Sequence, residues 1–178
     1  ILAQNMLNKN DEHRVMDKFV DQVQWLNENS HFRQVDAFEN IGFILPYTEG
    51  GKHPVILIDP NYEDDTEYGK VKTLLTSILD QHPLATVIVW IPLIQNHAFR
   101  YSYSIGLKDI AKKYAKGRYI CSMTIAKDDF QGSSVLICNP TKDLDNVITD
   151  ETIHWLANTM NQGKDEYSVE QVMKKKKL

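Results

Sequence analysis

The stretch that decides the fold is Val55-Ile56-Leu57-Ile58-Asp59-Pro60-Asn61-Tyr62-Glu63. Its first four residues are apolar with no polar alternation, which is typical of a strand buried on both faces of a parallel sheet. An acidic cluster from Asp64 to Glu67 follows, and it predicts the start of a helix that ends at His82-Pro83. The apolar face of this helix is predicted to comprise Tyr68, Val71, Leu74, Leu75, Ile78 and Leu79. The stretch therefore opens a strand-helix unit.

Further strands and helices follow in alternation. Thr86 to Ile91 has the buried-strand signature, and Ile105 to Tyr114 is predicted to be a helix. Arg118 to Ala126 and Ser133 to Asn139 are too close together for a crossover helix, so they predict an antiparallel hairpin. A closing helix is expected over Thr149 to Asn161. The order indicates an α/β protein whose sheet is mostly parallel and ends in an antiparallel hairpin.

Before this block the pattern predicts a strand at Ile1 to Leu7, an amphipathic helix over Asp11 to Asn29 and a short strand over Phe32 to Phe38. We expect residues 1–163 to form one domain and residues 164–178 to be a polar basic tail.

Composition excludes several classes of protein. The chain has 178 residues, is 42% hydrophobic and carries a net charge of −4, so a globular fold is expected and a broadly basic surface is not. No apolar run approaches the ~20 residues that span a bilayer, so we expect a soluble, cytoplasmic protein without membrane contact. Two cysteines, Cys121 and Cys138, cannot form a disulfide scaffold, although they are predicted to face each other across the hairpin. The six histidines show no metal-ligand spacing, and no metal is assigned.

Four segments resemble one family in the same order along the chain. Asp59-Pro60-Asn61-Tyr62 is similar to its D-P-P-Y motif, and Val89-Trp90-Ile91-Pro92 to its L-W-Y-P. Gly132 to Pro140 resembles its G-S-G-M-I-V-I-N-P-P segment, and Asp36-Ala37-Phe38 stands where it has D-G-F. The family is that of the bacterial large-subunit ribosomal RNA adenine-N6 methyltransferases, which have the class I, Rossmann-like methyltransferase fold and use S-adenosylmethionine.

The resemblance implies a role for each motif residue. Asp59 and the carbonyl of Pro60 would accept hydrogen bonds from the adenine amino group, and Tyr62 would stack on the base. Asn61 replaces the second proline, which removes a restriction on Pro60 and adds an N–H. Asp36 would accept from the cofactor's adenine and Phe38 would lie against it, with Ala37 in place of a glycine. A strand end containing a buried phenylalanine explains Asp36, Ala37 and Phe38 equally well.

The resemblance covers the later part of the family's domain. Its first strand and glycine-containing cofactor loop should precede Ile1, and its ribose carboxylate is not found near Asn5 to Asn8. That strand lies in the middle of the class I sheet, so we expect another segment or chain to complete the sheet, unless the neighbouring strands close the gap.

Two functions therefore stay open. The first is an S-adenosylmethionine-dependent adenine-N6 methyltransferase acting on ribosomal RNA. The second, suggested by Asn61, Ala37 and the missing ribose carboxylate, is a catalytically inactive methyltransferase-like domain that binds RNA or assists ribosome assembly. A DNA methyltransferase is a third possibility, but we find no target-recognition region for it.

Overall fold

The computed structural model describes residues 11–18, 30–44, 53–62, 65–94, 98–115, 118–127, 130–147, 151, 155 and 167–171. The chain divides into two compact units, Ile1–Lys52 and His53–Leu178. The predicted strand at Ile1 to Leu7 lies outside the described residues, and of the predicted helix at Thr149 to Asn161 only Glu151 and Trp155 are described.

The first unit contains two strands and one helical turn. Strands β1 (His13–Asp17) and β2 (Ser30–Gln34) pair in parallel along their whole length, and α1 is Ile41–Ile44. The helix predicted over Asp11 to Asn29 is therefore wrong over β1; residues 19–29 lie outside the described residues. The helical spacing rested mainly on apolar residues beyond β1, while the five residues of β1 are too few for periodicity to separate a strand from a helix.

The second unit contains a five-stranded sheet. Its elements are β3 (Val55–Ile58), α2 (Asp65–Gln81), β4 (Thr86–Ile94), α3 (Ala98–Tyr114), β5 (Arg118–Lys127), β6 (Phe130–Cys138), α4 (Lys142–Val147) and β7 (Tyr167–Gln171). The strand order is β3-β4-β6-β5-β7. Strands β3 and β4 are parallel, whereas the β4–β6, β6–β5 and β5–β7 pairs are antiparallel. The mixed α/β class and the hairpin are confirmed, but among the described strands of this sheet β3 and β4 are the only parallel neighbours.

Helix α2 follows the sequence prediction closely. It begins with acidic residues in its first turn and ends before His82-Pro83, and all six residues of the predicted apolar face are buried. Acidic side chains favour a helix N-terminus because they complement the partial positive charge there. Helix α3 packs against α2 and against strands β4 and β6.

Strand β3 differs from its prediction in burial. Ile56 and Ile58 are buried, but Val55 and Leu57 are 63% and 65% exposed, so the expectation that both faces are covered is wrong. The burial alternates along the strand, so packing covers only the face that carries Ile56 and Ile58.

Two further predictions are corrected by the strand register. Strand β7 lies within residues 164–178, where a tail was expected, and pairs with β5. In the hairpin, Cys121 lies opposite Val135 and Cys138 lies opposite Arg118, so the cysteines do not face each other. The register shifts between Thr124 and Lys127, an irregularity that counting from the loop cannot reveal.

Candidate functional site

The D-P-N-Y segment lies where two parallel strands end. The last partners of β3 and β4 are Ile58 and Val89, and the chain leaves the sheet at Asp59. Because the carboxyl ends of parallel strands meet at one edge, Asp59 to Tyr62 share this edge with Trp90, the residue after Val89. Ligands of open α/β sheets bind at such edges.

The carboxylate of Asp59 has the properties of a ligand acceptor. No hydrogen bond or ion pair engages it within the described part of the chain. Partial burial raises the pKa of Asp59 above its ordinary value, because removal from water disfavours the charged form. The residue itself is exposed, so a ligand can reach the carboxylate directly.

Tyr62 fixes the end of this loop. Its backbone is left-handed, with φ at 55°, a conformation that is uncommon for a residue with a Cβ. Its hydroxyl donates to the carbonyl of Trp90 at 2.7 Å. The ring centroids of Tyr68 and Trp90 lie 4.7 Å and 5.9 Å from that of Tyr62, and Tyr62 is only 6% exposed. The hydroxyl thus ties the loop to the neighbouring strand, a role that the sequence did not suggest.

Pro60 is half-buried and Asn61 is exposed. The structure therefore brings Asp59, Pro60, Asn61 and Tyr62 together in one loop, but it presents Tyr62 mainly to other aromatic rings. Stacking of a base on Tyr62 stays a prediction.

Asp36, Ala37 and Phe38 form a turn in the first unit. Asp36 Oδ1 accepts the backbone N–H of Phe38 at 2.9 Å, and Oδ2 lies 2.7 Å from Lys18 Nζ. Ala37 and Phe38 are half-buried. The strand predicted over Phe32 to Phe38 ends at Gln34, and the side chain of Asp36 explains the turn by bonding to backbone two residues ahead. The cofactor role of these residues stays a prediction.

A second polar cluster lies at the opposite end of the sheet. Asn139 follows β6 with φ at 48° and donates through Nδ2 to the carbonyls of Pro83 and Ala85, at 3.1 Å each. The hydroxyl of Thr86 donates to the carbonyl of Asn139 at 2.6 Å and lies 2.9 Å from His53 Nε2. Because Thr86 begins β4, this cluster stabilises the edge of the sheet opposite to the one that carries Asp59. The asparagine of the resembling N-P segment thus has a structural role.

Within the described ranges, no group of three or more His, Cys, Asp or Glu side chains could hold a metal ion. No helix in that part of the chain is both long enough and apolar enough to cross a membrane.

The chain resembles known proteins in architecture and in sequence. The crystal structure of protein LPL1258 from Legionella pneumophila str. Philadelphia 1, which carries the family label DUF519, superposes with a TM-score of 0.75 at 16% identity. The match covers 95% of this chain and 64% of that one, so the chain spans less than two thirds of its length. No curated protein matches. The family model described as "Ribosomal RNA large subunit methyltransferase D, RlmJ" matches residues 2–173, and the chain therefore belongs to the RlmJ family.

Proposed function

We propose that the protein is an S-adenosylmethionine-dependent methyltransferase that acts on N6 of an adenine in ribosomal RNA. The observation that carries this proposal is the Asp59 carboxylate, which is accessible, partly desolvated and without a protein partner among the described residues, at the end of a parallel strand. Membership of the RlmJ family supports the same reaction.

The chemistry needs acceptors for an amino group. The lone pair of adenine N6 is conjugated with the ring, so the nitrogen is a poor nucleophile. Hydrogen bonds from its two N–H groups to the Asp59 carboxylate and the Pro60 carbonyl would favour a pyramidal nitrogen with an available lone pair. The positive charge that develops on N6 would be stabilised by the carboxylate, more strongly because partial burial excludes water.

Tyr62 contributes by holding these acceptors still. Its hydroxyl bond to Trp90 and its buried ring limit the movement of the segment that begins at Asp59. Orientation of this kind lowers a barrier because a small misplacement of the reacting groups slows the reaction strongly.

Asp36 and Phe38 fit the adenine of S-adenosylmethionine. A carboxylate oxygen can accept more than one hydrogen bond, so the bonds of Asp36 to Phe38 and Lys18 do not prevent it from accepting an amino group. The half-buried ring of Phe38 supplies an apolar surface beside it. When bound, the cofactor supplies an electrophilic methyl group on a sulfonium.

The proposal also includes a further strand that completes the sheet. Val55 and Leu57 expose apolar side chains on β3, which ends the strand order of the described sheet. We propose that another segment or chain pairs there, because apolar strands with an open edge are rarely left uncovered.

The test is methyl transfer by the full-length protein to unmodified ribosomal RNA with labelled S-adenosylmethionine. We expect incorporation by the wild type, loss of incorporation in Asp59→Ala, and normal incorporation in Asp109→Ala, which removes an exposed carboxylate from α3. Absence of transfer by a protein that binds the cofactor would overturn the proposal.

The exposed Asn61 and the Asp36–Lys18 ion pair favour a second candidate, an inactive domain that binds RNA or assists ribosome assembly. Calorimetry separates the candidates. Micromolar binding of S-adenosylmethionine is expected for the enzyme, and no binding is expected for the inactive domain.

A further inference from the structure

A surface cavity in the first unit contains an aromatic ring and three basic side chains. We call it the Phe43 cavity; it has a volume of about 670 Å³. Its lining includes Glu12, Arg14, His31, Arg33, Glu39 and Phe43. All of these residues lie within Ile1–Lys52, so the cavity belongs to the first unit.

The strand pairing explains why the basic side chains converge. His31 and Arg33 are two residues apart on β2 and therefore project from the same face. Arg14 lies directly opposite His31 in the parallel register, which places its side chain on that face as well. The sequence did not suggest this cluster, because Arg14 was assigned to a helix.

The two arginines differ in how their charge is compensated. Arg14 Nε lies 2.6 Å from Glu12 Oε1, and Nη1 donates to the carbonyl of Phe43 at 2.9 Å. The guanidinium carbon of Arg33 lies 4.2 Å from the centroid of the Phe43 ring. Within the described residues no carboxylate pairs with Arg33, which is exposed. Arg33 therefore has no ion-pair partner among these residues, and its guanidinium lies over an aromatic ring.

A guanidinium that lies over an aromatic ring uses its face for this contact, so the N–H donors in its plane stay available to a ligand. These donors match the oxygens of a phosphate in a two-pronged geometry, and stacking reduces the side-chain entropy lost on binding. His31 adds a donor on the same face, and the cavity volume lies in the range that accommodates a nucleotide.

We propose that the Phe43 cavity binds a phosphodiester of the RNA substrate, with Arg33 donating to the phosphate oxygens. This inference rests on the proposed function, since it takes ribosomal RNA as the ligand. The neighbouring Glu39 carboxylate disfavours the phosphate by repulsion, whereas it would assist a nucleobase by accepting hydrogen bonds. Glu39 thus distinguishes the two ways in which RNA could occupy the cavity.

The experiment measures binding of a labelled, unmodified large-subunit ribosomal RNA transcript to the full-length protein across a salt titration. Arg33→Gln is expected to weaken binding about tenfold and to reduce the slope of log K against log salt by about 0.7–0.9. Arg33→Lys keeps the charge and should retain the slope with weaker binding. Lys112→Gln removes an exposed charge from α3 and should change the affinity less than about twofold.

Glu39→Gln should raise the affinity by about two- to threefold if a phosphate occupies the cavity. Weaker binding in this variant would overturn the phosphodiester assignment, as would equal affinities for Arg33→Gln and Lys112→Gln. If those two variants bind alike while wild type methylates RNA, the inference fails and the proposed function stands. If wild type neither binds nor methylates the transcript, both fail.

Discussion

Replacement of Tyr62 by phenylalanine tests whether one hydroxyl group holds the D-P-N-Y loop to the sheet. The ring stays, and so do its contacts with Tyr68 and Trp90. The variant loses the 2.7 Å hydrogen bond to the carbonyl of Trp90. This carbonyl belongs to the residue just beyond the last β3–β4 pair, where the strand ladder supplies no further partner from β3.

The expected loss of stability follows from burial. A typical hydrogen bond contributes about 0.5–1.5 kcal/mol, and an acceptor left buried without a partner costs about 1–3 kcal/mol. Tyr62 is 6% exposed, but Trp90 is only half-buried, so water can partly replace the hydroxyl. We therefore expect the free energy of unfolding to fall by about 1–2 kcal/mol, which lowers the thermal midpoint by about 2–8 °C for a chain of this size.

The catalytic effect should exceed the effect on substrate binding. The backbone at position 62 has an uncommon left-handed conformation, with φ at 55°. Without the bond it can leave this conformation, so the loop gains conformations in which Asp59 is displaced. We expect kcat for methyl transfer to fall about tenfold, with little change in KM for RNA.

Tyr114→Phe is the matched control. Tyr114 is half-buried at the end of α3, and the ammonium of the exposed Lys113 lies 4.8 Å from the centroid of its ring. Loss of the Tyr114 hydroxyl should change the thermal midpoint and kcat for methyl transfer very little. Equal midpoints for the two variants, together with a wild-type rate for Tyr62→Phe, would refute the proposed role of the hydroxyl. The stability measurement applies even if the domain is inactive.

Three further predictions concern the same sheet. Asn139→Ala should lower the free energy of unfolding in urea by about 3–5 kcal/mol, because two carbonyls lose their donor and alanine is strained at φ 48°; Asn139→Gly should recover about 1 kcal/mol of this, and equal values would contradict the strain argument. The raised pKa of Asp59 means that the folded state binds its proton more tightly than the unfolded state, so ionisation destabilises the fold above that pKa. Asp59→Asn should therefore be more stable than wild type at pH 7 in urea titrations, with the advantage vanishing as the pH falls toward 3.8, and a pH-independent difference would exclude this cause. Asn61→Pro should increase the methylation rate about two- to fivefold by stiffening the loop, and a slower variant would show that the loop needs the Asn61 conformation.

The sequence predicted those elements whose pattern is long and amphipathic. The face of α2 was identified completely because six apolar residues over three turns leave little ambiguity. Strand β1 was missed because its five residues pair with β2, and pairing between distant segments leaves no periodic trace in either one. The exposure of Val55 and Leu57 was missed for a related reason, since a uniform apolar run says nothing about how many faces of the strand are covered.

The candidate site was predicted in part. Asp59 and its loop followed from a motif at the end of a strand, but the anchor of Tyr62 is a backbone carbonyl, which has no sequence signature. The turn at Asp36 could have been anticipated, because an aspartate that bonds to backbone two residues ahead commonly ends a strand. The Phe43 cavity could not, because it depends on the register of β1 against β2.

The strand directions explain why the sequence motifs that resemble the family differ in their roles. Strands β3 and β4 are parallel, so the D-P-N-Y loop and Trp90 meet at one edge although they lie far apart in the sequence. Strand β6 runs in the opposite direction, and its register places Gly132 opposite Leu93, near the end of β4, and Cys138 opposite Val87, near the beginning. The glycine-serine end of the Gly132 to Pro140 motif is therefore on the side of the candidate site, while Asn139 near its other end stabilises the opposite edge. A substitution at Asn139 should accordingly change stability without a separate effect on catalysis, whereas one at Gly132 can alter both.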